Sequence, residues 1–217
     1  MPFAFLMLRT LFKLFAGLAV LGFVALVWWL LRSSDPMYDA TELLHYRRFH
    51  RYDSLISEAS NQHHVDPTLV KAVIWRESRF RPDKEGSANE RGLMQITGAA
   101  AEEWAKSERG HSILPQDLFD PRTNIQAGTW LLARALRRWQ EQGTDNPVPF
   151  ALAEYNAGQS RVRRWIAGAG ERDRDPQRPG NQITGGDLVD HIGFPGTKQY
   201  VADVQQRAAF YRKRGGL

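Results

Sequence analysis

The sequence predicts an all-α fold, with one N-terminal membrane-spanning helix followed by a single helical domain. Three observations predict it. Residues 14–31, "LFAGLAVLGFVALVWWLL", run for eighteen positions without a charge. Beyond them, apolar residues recur three and four apart, the spacing of a core-facing helical stripe. No segment alternates apolar and polar residues as a half-buried strand would.

The uncharged run is long enough to cross an average bilayer with help from its flanks. It ends in "VWWLLRSSDP", with bulky residues, an interfacial Trp pair and no small-x-small cleavage site, so it reads as an uncleaved anchor. Arg9 and Lys13 precede it and only Arg32 follows closely, which favours a cytoplasmic N-terminal tail. Residues 33–48 read as a polar, partly helical linker. We therefore divide the chain into tail and anchor over 1–32, linker over 33–48 and a helical domain over 49–217.

Within the domain, Leu55, Ile56 and Ala59 share one face of a first helix. Asp66-Pro67 starts the next, as an N-cap followed by proline at the first helical position. "GSANERGLMQIT" is a Gly-bounded connection without period. "GAAAEEWAKS" reads as a short helix. Asp120-Pro121 opens another, with Ile125, Gly128, Leu132, Ala135, Leu136 and Trp139 on its buried stripe. "PFALAEYNAG" is a compact helix stopped by Gly158, and "SRVRRWIAG" adds a turn or two. Residues 168–187 are rich in Gly, Pro and charge, too long for an ordinary connector. Tyr200, Val201, Val204 and Ala208 mark a last helix.

Charge and composition exclude some functions. The chain carries 29 Lys and Arg against 24 Asp and Glu. The first 32 residues hold three of the bases and no acid, leaving the remainder near +2. So weak an imbalance lacks the footprint of a phosphate-binding surface, and we expect no nucleic-acid partner. With no cysteine, disulfides, thiolate catalysis and Cys-based zinc sites are absent. His63-His64 has no HExxH context and reads as a loop pair before the Asp66 cap. The arginines beside tryptophan in "ARALRRWQ" and "RVRRWIAG" read as solvated helix faces.

One residue breaks the pattern. In "DPTLVKAVIWRESRFRPDKEG", Leu69, Val70, Val73 and Ile74 fan over roughly 140° of a helical wheel, and Glu77 falls within about ten degrees of its middle. A buried acid is usually a paired one. Here the helix ends just after it, at "RFRP", and the segment "GLMQIT" follows closely enough to line a cleft. Desolvation disfavours a charged carboxylate and raises its pKa, and a protonated acid is what cleavage at a glycosidic oxygen requires.

"ESRFRP", then "GLMQIT" with Gln95 eighteen residues after Glu77, then "AEYNAG", together resemble the signature segments of lytic transglycosylases of the soluble, Slt-like type. "DPRTNIQAGTWLL" and "IGFPGTKQYVADV" extend the likeness, from about Tyr52 to Tyr211. The resemblance implies a lysozyme-like, mainly α-helical fold acting on peptidoglycan, without cofactor or metal. Glu77 would be the sole catalytic carboxylate, first acid and then base. It would cleave the β-1,4 bond between N-acetylmuramic acid and N-acetylglucosamine and leave a 1,6-anhydro ring. Ser78 would brace the catalytic helix, Met94 and Gln95 would line the subsites, Tyr155 and Asn156 would face Glu77, and Tyr200 would close the cleft. Met94 reads equally as core packing, Tyr155 as a core aromatic and Asn156 as a helix cap.

Two positions depart from many relatives. Gly86 stands where a serine is common, with Ser87 one place on, so a sugar contact there falls to Ser87 or to nothing. Glu154 replaces the usual alanine before the Tyr-Asn pair. We read Glu154 as an exposed helix charge, against the alternative of a second carboxylate that recruits water. The expected setting is the bacterial inner membrane, single-pass, with the domain on the periplasmic or cell-wall side. Its partners would be peptidoglycan strands and the membrane, with cell-wall proteins unidentified. The alternatives are a muramidase-type hydrolase on the same fold and a catalytically weak peptidoglycan-binding scaffold.

Overall fold

An aspartate or asparagine followed by proline opens three of the principal helices. Asp66, Asp120 and Asn146 each accept a hydrogen bond from a first-turn backbone N–H (2.8, 2.8 and 3.1 Å), and Pro67, Pro121 and Pro147 occupy the first helical position. Each cap satisfies a donor the helix cannot, worth about 1 kcal/mol, and each proline brings a pre-set φ. The third was not read from sequence, so that helix starts two residues before the expected "PFALAEYNAG".

The computed structural model describes residues 2–32, 40–41, 44–108, 110, 112–172 and 185–217. Its helices are α1 (Pro2–Arg32), α2 (Tyr46–His50), α3 (Asp53–His63), α4 (Pro67–Ser78), α5 (Gly98–Glu108), α6 (Pro121–Glu141), α7 (Pro147–Ala157), α8 (Gln159–Arg172), α9 (Gly185–His191) and α10 (Pro195–Lys213), with a 3₁₀ turn at Pro115–Phe119. Among the described residues no strand forms, only isolated antiparallel bridges Glu85–Arg91 and Arg91–Ile96. The all-α expectation holds. The anticipated linker at 33–48 lies largely outside the described residues, as do 173–184 of the Gly- and Pro-rich stretch. Helix α8 runs to Arg172, well past the turn or two anticipated.

The chain divides into two units, Met1–Arg47 and Arg48–Leu217. In the first, α1 carries an eighteen-residue window, Leu11–Trp28, of mean hydropathy 2.2 with none of its residues buried. It is long and apolar enough to cross a membrane.

In the second unit the predicted stripes are the core. Leu69, Val70, Val73 and Ile74 of α4 are buried, as are Ile56 and Ala59 of α3 and Tyr200, Val201, Val204 and Ala208 of α10. Burial of each large side chain stabilises by about 1.5–3 kcal/mol. Helix α4 packs against α3 and α10, and α7 packs against α6, α8, α9 and α10. Lys71 is buried on α4 and pairs with Asp53 of α3 at 2.7 Å. Helix α10 thus touches both α4, which ends at Glu77-Ser78, and α7, which ends at Tyr155-Asn156-Ala157.

Candidate active site

Glu77 is the penultimate residue of α4, and the chain reverses immediately after it. Arg79 and Phe80 are both left-handed, with φ of 54° and 59°. Such conformations cost a non-glycine residue about 1–3 kcal/mol each. They are held by the Arg79 N–H, which bonds the Trp75 carbonyl at 3.2 Å, and by Phe80, fully buried with its ring 5.0 Å from that of Phe49. The returning segment sends Lys84 back to donate to the Glu77 backbone carbonyl.

The segment that follows is folded by side-chain amides rather than by a strand ladder. Gln95, left-handed at φ 50°, donates through Nε2 to the carbonyls of Gly92 (2.9 Å) and Lys84 (3.0 Å). Asn124 of α6, fully buried, accepts from the Met94 N–H (2.7 Å) and donates to the carbonyls of Arg91 and Leu118 (2.8 Å each). Gly92 is required where Asn124 passes: its φ is 77°, and a Cβ there would lie 2.4 Å from the Asn124 amide nitrogen.

Tyr155 of α7 donates its hydroxyl to the Met94 carbonyl at 2.9 Å, joining the end of α7 to this segment. Tyr200 of α10 is 2% exposed. Its hydroxyl lies near enough to Glu77 to favour the ionised carboxylate, yet completes no hydrogen bond of full geometry among the described residues. Glu77 itself is half-buried, and loss of hydration at the carboxyl outweighs everything else acting on it. Its pKa rises from the ordinary 4.5 to about 7. The Tyr200 hydroxyl and the cations Lys84 and Arg76 pull it back, and the Glu90 carboxylate adds to the rise. Burial and the Glu77 charge push both tyrosine hydroxyls well above their ordinary value, so both stay neutral donors.

The other predicted site residues are distributed unevenly. Asn156 is exposed, and its side-chain oxygen accepts from Thr197 Oγ1 of α10 at 2.7 Å. The helix end is closed by Gly158 (φ 87°). Ser78 is 1% exposed and returns its hydroxyl to the Ile74 carbonyl at 3.2 Å, bracing the helix without reaching the cleft. The Met94 side chain is fully buried against Gly128, which corrects its expected place among the subsites: only its backbone faces Tyr155. Ser87 is exposed on the Gly86–Glu90 turn.

Glu154 is the second correction. Its side chain is 10% exposed and ion-paired with Arg138, with a further bond from Trp139 Nε1 at 2.9 Å. Both partners lie on α6, fifteen and sixteen residues back, and neither oxygen is left as a free base. Glu90, unread in the sequence, is the carboxylate nearest in influence. It accepts from the Ala88 N–H at 2.9 Å and spreads over Gly86, where a Cβ would meet its Oε2 at 2.3 Å. A serine at position 86 would displace it. A recess of about 230 Å³ shares Gln95 and Tyr155 with this site and extends to Arg134, Arg138 and Glu154.

A family model described as the transglycosylase SLT domain matches residues 54–177, more than half of the chain. The chain belongs to this family. The SLT domain match spans α3 to α8 and takes in Glu77, Gln95 and Tyr155. Membrane-bound lytic murein transglycosylase F of Desulfosudis oleivorans is 34% identical over 134 residues, 61% of this chain and 28% of that protein. Membrane-bound lytic murein transglycosylase C of Klebsiella pneumoniae is 35% identical over 123 residues, 54% of this chain and 34% of that protein. The crystal structure of the 70 kDa soluble lytic transglycosylase of Escherichia coli superposes with a TM-score of 0.64 at 29% identity, covering 76% of this chain and 24% of that one. This SLT domain chain therefore spans about a third or less of the length of the relatives it matches.

Proposed function

We propose that this chain is a membrane-anchored peptidoglycan lytic transglycosylase. It cleaves the β-1,4 bond between N-acetylmuramic acid and N-acetylglucosamine and leaves 1,6-anhydro ends. The observation that carries this reading is Glu77, a carboxyl held near neutrality at a helix end among neutral tyrosine hydroxyls. An acid with pKa near ambient pH can give its proton to the departing oxygen and then accept one. Glu77 protonates the glycosidic oxygen, and the substrate's own N-acetyl group assists the departure. Glu77 then takes the proton of the sugar's 6-hydroxyl as that oxygen closes the ring. Gln95 shapes the segment facing it, and Tyr155, Asn156 and Tyr200 set the opposite wall. Ser78, Asn124 and Thr197 hold these parts in place.

The family membership and the apolar α1 support the division into tail and anchor over 1–32, linker over 33–48 and catalytic domain over 49–217. We place the short tail in the cytoplasm and the domain on the periplasmic or cell-wall side of the inner membrane, following the Arg9 and Lys13 bias. Glycan strands are the partner, and nucleic acid is not.

Glu90 favours one second reading, a muramidase-type hydrolase in which this carboxylate, rather than Glu154, orients water. Product chemistry separates the two. The detergent-solubilised chain is incubated with purified peptidoglycan beside Glu77→Gln, and the released muropeptides are weighed. Anhydro ends, one water lighter than reducing ends and absent with the variant, are the expected result. Reducing ends would replace the lytic reading with the hydrolytic one.

A further inference from the structure

Resting on the lytic transglycosylase reading, we propose that the recess beside Gln95 and Tyr155 is a specificity pocket for a carboxylate-bearing side chain of the substrate's stem peptide, with Arg134 as its anion-binding residue. The glycan backbone of peptidoglycan consists of N-acetylated sugars whose lactyl carboxyl is consumed in the amide to the stem. The chain's negative charges therefore sit on the peptide. A cationic recess beside the cleaving site has little to offer the neutral sugars and a great deal to offer those peptides.

The lining carries that charge. Arg134 and Arg138 face one acid, Glu154. Arg138 and Glu154 neutralise each other, with Trp139 Nε1 completing the pair. Among the described residues Arg134 has Glu103 as its one ionic partner, a side chain 55% exposed that does not line the recess. A surface pair of that kind is weak and exchangeable. The Arg134 guanidinium is fixed over the Trp130 ring, 4.7 Å from its centroid. Its Nε is buried and has no hydrogen-bond partner among the described residues. That Nε is enclosed, so it is the terminal nitrogens of the same planar, part-exposed guanidinium (side chain 29% exposed) that a carboxylate in the recess meets, in a charge-assisted bond. Ile96, Leu131 and Ala135 supply apolar lining, so the matching ligand is a short aliphatic chain ending in an acid.

The test is binding, read apart from turnover. The Glu77→Gln chain, α1 included, is titrated in detergent with a muropeptide tetrasaccharide whose stem carboxylates are free. The same tetrasaccharide with those carboxylates amidated is the comparison. The free acid should bind about tenfold more tightly, the size of one charge-assisted hydrogen bond. Arg134→Met should bring the two ligands within about twofold while still binding the amide, which reports an intact fold. Glu103→Gln, which frees Arg134, should keep or widen the gap. Equal affinity for both ligands, a gap that survives in Arg134→Met, or binding of neither overturns the proposal. A parent chain that discriminates the ligands yet yields no anhydro ends would sink the lytic reading and leave the recess standing.

Discussion

Gly128, in the middle of α6, lies flush against Met94: a Cβ built on it would sit 2.4 Å from the sulfur and 2.8 Å from the Met94 Cβ. The glycine is there because the Gln95 segment is pressed onto the helix at this point. Alanine would gain about 1 kcal/mol of helix propensity, but overpacking a closed contact costs about 1–3 kcal/mol. The sulfur and Cε could swing aside, but the Met94 Cβ at 2.8 Å is fixed to the backbone and cannot, so the second effect should win. Gly128→Ala should lower the denaturation midpoint and reduce kcat by displacing Gln95. A stabilised, fully active variant would show that Met94 yields.

The Glu77 pKa of about 7 sets a pH window. Protonated Glu77 is the acid of the first step, so kcat/KM should fall as pH rises through about 7. Stability follows the same group. Between 4.5 and 7 the native state binds the Glu77 proton that the unfolded chain releases, so stability declines across that interval as pH rises. Glu77→Gln should remove the decline and stabilise the fold at pH 8 by on the order of 1–3 kcal/mol. Urea denaturation at pH 5 and pH 8 measures it; an identical difference at both would refute the coupling.

Tyr200→Phe separates tuning from packing. The hydroxyl favours ionised Glu77, so its loss should move the descending limb of the pH–rate profile upward. It completes no full hydrogen bond among the described residues, so the thermal midpoint should hold or rise. A large drop in stability with an unmoved profile would make Tyr200 a packing residue only.

Glu154→Ala leaves Arg138 without its partner in a mostly buried setting. Removing one member of such a pair costs up to about 3–5 kcal/mol when burial is complete, and somewhat less here because Arg138 is 25% exposed. The expected result is a less stable chain with an unchanged ratio of anhydro to reducing ends. A shift in that ratio, measured by muropeptide mass spectrometry, would return Glu154 to the chemistry.

The helices were legible because burial imposes a period, and Glu77 was legible because it interrupts one. The three Asx-Pro starts carry their own signal, and the one missed, Asn146-Pro147, could have been read from the same pair of residues. What lies between Arg79 and Ile96 has no period to read. Its path depends on four left-handed residues other than glycine, Arg79, Phe80, Asn89 and Gln95, and on amide contacts from Gln95 and Asn124, and the burial of Met94 follows from that path. Glu154 failed for a different reason. Its partners Arg138 and Trp139 sit on another helix, and only the rotation of α7 against α6 decides whether the acid meets them or water. Asn124 was detectable in principle, as a polar residue beside Ile125 on an otherwise apolar face.

Asn124 also bears on how variation in this protein should be interpreted. One amide contacts three backbone groups, two as donor and one as acceptor. Aspartate lacks the donor and leucine lacks both, so no near-isosteric replacement serves all three. In a saturation survey scored by activity, this position would be as intolerant as Glu77 although it never meets the sugar. Expression level and melting behaviour, scored alongside turnover, would tell the keystone from the reagent.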